Sequence, residues 1–488
     1  MKKKEVDFQH YMRLCIIYFA YTHFSPSTAY IDFDCTDLSY FIALIWNKLF
    51  KIMRSLSVYF LWIVLFSCQS NQHLDEAVMF RKDAAHSAIY SNEDIPTLHG
   101  KKWKTKLDGN VFSSPVIYKD IVFIGSSSKF YALQAQTGSE IWSIPVDGPA
   151  HSSPTVKNDV VFFGDFSGKF YAVDVKNGTI KWTFFAKGER HFGAKGLHGM
   201  QPKDQYMVDD WDFYNSSPTI FKNNIYFGSG NGNVYALDLI SGEEIWHFQT
   251  GDVVHASPAI AYDRVYIGSW DSYFYCLDAV TGTKLWDFQT GTDTVNYNQV
   301  GIQSSAIISD STVYFGCRDA HLYAIDATNG EMKWKKFNNY SWIIVSPVVD
   351  DKNVYYTTSD SYQFFALNKH NGDSLYSLPT KGFGFSSPVR VNNMIFFGVF
   401  NGELVAIDTH TKSEVWRFHT DEALADEMKV LNEDGTLNGQ QVFADFSPSK
   451  MPEIMDMMFS VGAILSTPVP YENSLIFGTA NGYVYAIH

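Results

Sequence analysis

Two histidines, His151 and His255, each stand immediately before a Ser-Pro step, in His-Ser-Ser-Pro and His-Ala-Ser-Pro. An imidazole so placed could move protons near neutral pH or ligate a metal. Asn215 and Gln303 hold the same place in Asn-Ser-Ser-Pro and Gln-Ser-Ser-Ala, and an amide offers both donor and acceptor. Trp270-Asp271 and Arg318-Asp319 each follow a short apolar run that ends in Gly. A guanidinium recognises carboxylate or phosphate and an indole stacks. His151, Asn215, His255, Trp270, Asp271, Gln303, Arg318 and Asp319 are therefore the candidate pocket set. The competing reading is a solvated rim with local salt bridges. Asp209, Asp210 and Asp212 crowd around Trp211; three carboxylates could hold calcium, though the EF-hand spacing is missing and no metal is expected. The five cysteines, Cys15, Cys35, Cys68, Cys276 and Cys317, show neither Cys-x-x-Cys nor zinc spacing. Cys276 and Cys317 read as buried free thiols, with a disulfide between them as the alternative.

Cys68 belongs to a different chemistry. Lys51 and Arg54 precede an apolar run from Leu56 to Phe66, which ends in Leu65-Phe66-Ser67-Cys68. The run is short for a bilayer span and right for the apolar core of a signal peptide. Its end resembles a bacterial lipobox, which implies that Cys68 is lipidated and that residues 53–68 are the signal peptide. The residues that follow, Gln69 and Ser70, are not the aspartate that retains lipoproteins at the inner membrane, so the resemblance implies an outer-membrane lipoprotein of the cell envelope, facing the periplasm or the cell surface. A plain signal peptide or a short anchor helix is the alternative. Residues 1–52 read as an extension ahead of the true start at Met53, and residues 69–99 as a tether.

Residues of this kind must be held by a scaffold, and the scaffold is visible as a repeat. The frame NSSPTIFKNNIYFGSGNGNVYALDLISGEEIW, ending at Trp246, recurs eight times at a period of about 40 residues. Its closing aromatics are Trp103, Trp142, Trp182, Trp246, Trp286, Trp334, Tyr376 and Trp416. Each repeat parses as four short strands: a Ser-Pro strand, two apolar strands, and one carrying the aromatic. Pro is tolerated at a strand start, and pairs such as Asn231-Gly232 supply the positive φ of tight hairpins. Strands this short need radial packing into blades. The last repeat stops after its third strand at His488, while a lone Gly-x-x-Trp strand stands at Gly100–Lys104. The expectation is an all-β, eight-bladed propeller over 100–488, closed by that N-terminal strand.

Departures from the period occur at 183–214, 287–302 and 417–464, each between a closing aromatic and the next Ser-Pro step. All three loops should decorate one face, and sites favour loops on rigid scaffolds. Met451 to Phe459 in the third loop reads as a Met-rich helical turn that either plugs the funnel or docks a partner.

The chain carries a formal charge of −14. No basic stripe is present, so nucleic acid is not an expected partner.

The frame Ala236-Leu237-Asp238…Gly242…Trp246, repeated as Ala324-Ile325-Asp326…Gly330…Trp334, resembles the tryptophan-docking motif of the PQQ-type propellers. The resemblance covers about four-fifths of the chain. It implies that Trp103, Trp142, Trp182, Trp246, Trp286, Trp334 and Trp416 pack between blades. That superfamily includes PQQ- and calcium-dependent dehydrogenases and the BamB-like lipoproteins of β-barrel assembly. The dehydrogenase reading lacks a vicinal Cys-Cys pair and a haem-attaching Cys-x-x-Cys-His. The resemblance therefore implies a membrane-tethered binding scaffold with no cofactor, holding a protein partner that includes barrel-assembly components. PQQ with calcium, or a glycan- or peptide-binding receptor, is the alternative.

Overall fold

The computed structural model describes residues 77–90, 97–445 and 447–488. The expectations for 1–52, for the signal segment 53–68 and for Cys68 fall outside the described residues. From Lys101 onward the chain forms eight four-stranded antiparallel blades, seven of them with their strands in chain order, and a small hairpin. Blade 3 shows the pattern with strands Thr219–Phe221, Asn224–Gly228, Asn233–Asp238 and Glu244–Gln249. The middle strands alternate little and are buried on both faces, because each blade packs between two neighbours. The eighth blade takes Val469–Tyr471, Ser474–Gly478 and Tyr483–Ile487 from the C-terminus. Lys101–Lys106 completes it, with Trp103 opposite Ala486. This is the expected closure, and it fastens the ring with a ladder between chain ends.

Neighbouring blades are locked by the closing tryptophan and the motif glycine. The Trp103 indole N–H donates to the Ala135 carbonyl of the next blade at 2.9 Å, and Trp142 to Val175 at 2.9 Å. Trp246 and Trp334 repeat the bond to Ala279 and Lys369. Gly242, at φ 73°, lies on the Trp182 ring so closely that a Cβ would sit 2.5 Å from it. The other motif glycines stand likewise on the preceding tryptophan. The Gly-x-x-x-Trp spacing is thus a contact between blades read twice, once from each side.

The first strands surround the axis and are stitched by their Ser-Pro serines. The backbone N–H of Ser114 donates to Ser153 Oγ, Ser153 to Ser217, Ser217 to Ser257, Ser257 to Ser305, Ser346 to Ser387, and Thr467 to Ser114, at 2.8–3.0 Å. Each hydroxyl satisfies a buried donor of the previous blade, which explains why this position is Ser or Thr throughout.

Residues 77–90 depart from the expected tether. They run across the inner strands and are built into the ring. Val78 pairs with Val156 of blade 2. The Ile260 and Ile308 N–H groups of blades 4 and 5 donate to the carbonyls of Ala84 and Ala85, and Ile89–Tyr90 adds a parallel strand to Val389–Val391 of blade 7. Arg81 donates to the carbonyls of Pro347 and Pro388, and His86 contacts the Ala306 carbonyl at 3.0 Å and Thr219 Oγ1 at 3.3 Å. Burial pushes Arg81 down to about 9 and His86 down to about 4.

The third loop carries helices Asp421–Ala425, Gly439–Val442 and Met451–Ser460. The last buries Met451, Ile454, Met455, Met458 and Phe459 against Phe112, Phe213 and Phe400. Of the two readings of this Met-rich face, packing over the funnel is the one observed. Cys276 and Cys317 are buried free thiols, with burial pushing the Cys276 thiol up to about 12.

Candidate functional site

The blade-joining loops place His151, Asn215, His255 and Gln303 at the mouth of the axis, and the loops between second and third strands place Trp270 and Arg318 beside them. What they meet there is the chain's own first insertion. Arg318 is 1% exposed; its Nη1 donates to Asp209 Oδ2 at 2.5 Å. Its guanidinium lies between two indoles, 4.7 Å from the Trp270 ring and 3.7 Å from the Trp342 ring. Asp209 also accepts from the Trp211 N–H at 2.9 Å and stands 3.3 Å from His198 Nε2. Burial opposes its charge, but Arg318 and His198 outweigh burial and hold the carboxyl below the usual range. His255 Nδ1 lies 2.8 Å from Asp212 Oδ1, and its Nε2 lies 3.1 Å from Glu189 Oε1. Burial works against the imidazolium, yet the two carboxylates raise it to about 10. Asp209 and Asp212 therefore clasp the insertion onto the ring through two buried ion clusters.

This changes the role of the acidic trio. Asp209 is committed to Arg318, Asp212 to His255 and the Phe192 N–H, and Asp210 points to solvent. No three His, Cys, Asp or Glu side chains converge as metal ligands among the described residues. Asp271 and Asp319 are turn latches rather than pocket groups. Asp271 accepts from the Gly251 N–H and the Tyr275 hydroxyl at 2.7 Å each; Asp319 does the same with Gly291 and Tyr323. Asp165 makes the equivalent set with Gly148 and Tyr171. Trp270 stacks on Phe192 at 4.3 Å, below the insertion. His151 is held by the Phe213 carbonyl at 2.9 Å, and burial pushes it down to about 3.

Inside the mouth, Tyr214 closes the axis by donating to the Phe385 and Leu465 carbonyls at 3.1 Å. Phe80 lines the same axial cavity, whose volume is about 40 Å³. Asn215 Oδ1 and Gln303 Oε1 belong to side chains lining this cavity and lack a protein partner. The space suits ordered water, which asks only for polar partners and a volume of this order. It does not fit a tricyclic quinone with a calcium ion, and the residues around it do not supply a carboxylate set for one.

A larger concavity lies beside the axis on the decorated face. It measures about 600 Å³. Trp211, Trp342, Phe383 and Phe385 form its buried floor, and Tyr340, Tyr362 and Phe443 its walls. Polar groups enter from His198, Asn296, Asn298, Ser359 and Asp360. Of these, Asp360 falls in a loop between second and third strands and Phe385 stands just before a Ser-Ser-Pro step, both positions that the repeat marks. His198, Glu189, Asn296, Asn298, Tyr340 and Trp342 were missed, because they sit in insertions or at offsets that no repeat position marks.

Comparison with known proteins bears on the whole ring. The family described as "Outer membrane protein assembly factor BamB" matches residues 97–210, 200–341 and 338–454. The solved structure of BamB from Moraxella catarrhalis superposes with a TM-score of 0.55 at 17% identity, covering 80% of this chain and 97% of that one. Quinohemoprotein alcohol dehydrogenase from Comamonas testosteroni superposes with a TM-score of 0.62 at 13% identity, covering 86% and 81%. In sequence the same dehydrogenase is 29% identical over 80 residues, which is 16% of this chain and only 10% of that protein.

Proposed function

The chain belongs to the family described as outer membrane protein assembly factor BamB, and on that premise we propose that it is a non-enzymatic binding propeller of the cell envelope, tethered through Cys68 and engaging a protein partner in outer-membrane protein assembly. The observation that carries the reading is the filled funnel. The first insertion and Tyr214 occupy the mouth, and about 40 Å³ remains on the axis. A propeller so sealed offers surfaces rather than a reaction chamber, and its long loops all add surface to one face. The structural likeness to quinohemoprotein alcohol dehydrogenase extends to the blades; the axial residues do not extend it to the cofactor.

Purified full-length protein, cross-linked in envelope membranes and recovered by affinity, should bring down a component of the barrel-assembly machinery. Cys68→Ser should shift the protein from the membrane pellet to the supernatant and reduce that recovery. Recovery of no such component from wild type, or a variant that stays in the pellet, would overturn the reading.

A further inference from the structure

The concavity of about 600 Å³ on the decorated face has a composition that neither the ring nor the clasp requires. Its floor and walls are aromatic, and ligand sites of this size combine apolar surface with a few placed polar groups. The polar groups here are unusual in charge. Asp360 is the only Asp, Glu, Lys or Arg among its lining residues, and the Arg318 guanidinium lies against Trp342 and is committed to Asp209. An anionic ligand would find no Lys or Arg among the lining residues. Asn296 and Asn298 add amide donors, with the Asn298 oxygen near His198 Nδ1 at 3.1 Å, which leaves its NH₂ group to point outward. Donors and acceptors together suit hydroxyl groups, each of which gives and takes a hydrogen bond; a purely cationic ligand would want acceptors alone.

The rim is also strained. Tyr340 is 71% exposed at φ 62°, and Tyr297, between the two asparagines, holds φ 52°. Bulky residues rarely adopt this region, and such conformations persist where the surroundings impose them. The Gln299 side chain pins the Tyr340 carbonyl at 2.9 Å, and the Tyr340 ring meets Phe337 edge-on at 5.1 Å. An exposed aromatic held in a fixed pose is a stacking platform at little entropic cost.

We propose that this concavity binds a neutral oligosaccharide, its pyranose faces stacking on Tyr340 and Trp342 and its hydroxyls bonded by Asn296, Asn298 and Asp360. The site is independent of the barrel-assembly reading, since it needs neither Cys68 nor a protein partner.

The test uses the purified full-length chain and a panel of neutral hexasaccharides: maltohexaose, cellohexaose, laminarihexaose, mannohexaose and N-acetylchitohexaose. Titration calorimetry should show saturable binding of at least one, with a change in tryptophan fluorescence. Tyr340→Ala should weaken that binding by about tenfold, the loss of one stacking contact. Asp360→Asn should weaken it by about fivefold. Both variants should melt with the wild type, since both side chains are exposed. Absence of binding by every panel member, or equal binding by wild type and both variants, overturns the proposal. So does saturable binding of a trilysine peptide with none of the sugars, which would make the groove a cation cage.

Discussion

Three buried histidines divide into two kinds, and pH should separate them. His86 and His151 are buried as neutral imidazoles, pushed down by burial to about 4 and about 3. The unfolded chain, near 6.5, binds more protons in that interval, so stability rises as pH climbs to about 6.5. His255 is the opposite case: against the cost of burial, Asp212 and Glu189 raise it to about 10. Its contribution is complete below about 6.5 and is lost as pH rises toward 10. Thermal melts should therefore peak near pH 6.5 and decline from pH 7 to 9, a window below the titration of Arg81 at about 9. His255→Gln should be less stable at pH 6.5 and nearly flat from pH 7 to 9. An alkaline limb that survives unchanged in the variant would sink the assignment. The sequence named His151 and His255 as equivalent positions, and so they are in the ring. What set them apart lay 62 and 43 residues away, in the Phe213 carbonyl and the Asp212 carboxylate. Contacts of that kind leave no local pattern to read.

At the scale of elements, legibility followed periodicity. Strands, turns and the closing strand were readable because each is specified within a few residues: apolar runs, Asn-Gly pairs, and Gly four residues before Trp. The same locality makes the blade contact testable. Gly242 combines φ 73° with a Cβ position 2.5 Å from the Trp182 ring. Gly242→Ala must accept left-handed strain and displace the indole, which together cost about 2–4 kcal/mol. Chemical denaturation should show a lower midpoint with an unchanged slope, and Trp182 fluorescence should shift. A midpoint within error of wild type would mean that the glycine is a turn residue only. Insertions were legible as interruptions but not in content. The pairing of Asp209 with Arg318 spans 109 residues, and the ion clusters convert a loop that read as a calcium candidate into a clasp. Arg318 also keeps Nε and Nη2 without partners among two indoles, so its half of the clasp is held by one strong bond and two aromatic faces.

At the scale of the whole molecule, the ring is closed twice. One closure, Lys101–Lys106 on the C-terminal blade, was legible because it completes a missing repeat position. The other was not, because residues 77–90 bind chiefly through backbone carbonyls and through two side chains, Arg81 and His86, that reach carbonyls in turn. Any sequence supplies backbone acceptors, so composition reported only a polar, pattern-poor stretch. The two closures differ in what they oppose. The strand closure joins blades 8 and 1 and resists opening of the ring at one seam. The segment 77–90 ties the inner strands of blades 2, 4, 5 and 7 together, through Val156, Ile260, Ile308 and Arg390, and so resists splaying at every seam it crosses. Deleting residues 77–90 should leave eight blades formed, since the four antiparallel strands of each blade pair without the segment, yet lower the melting temperature. The sharper readout is amide exchange. The Ile260 and Ile308 N–H groups would lose their acceptors and face the axis, and their exchange should quicken by about tenfold or more, while amides in the middle strands, such as Tyr235, stay protected. Uniformly faster exchange would mean that the ring itself had loosened, and unchanged exchange at Ile260 and Ile308 would mean that the segment rests on the ring without holding it.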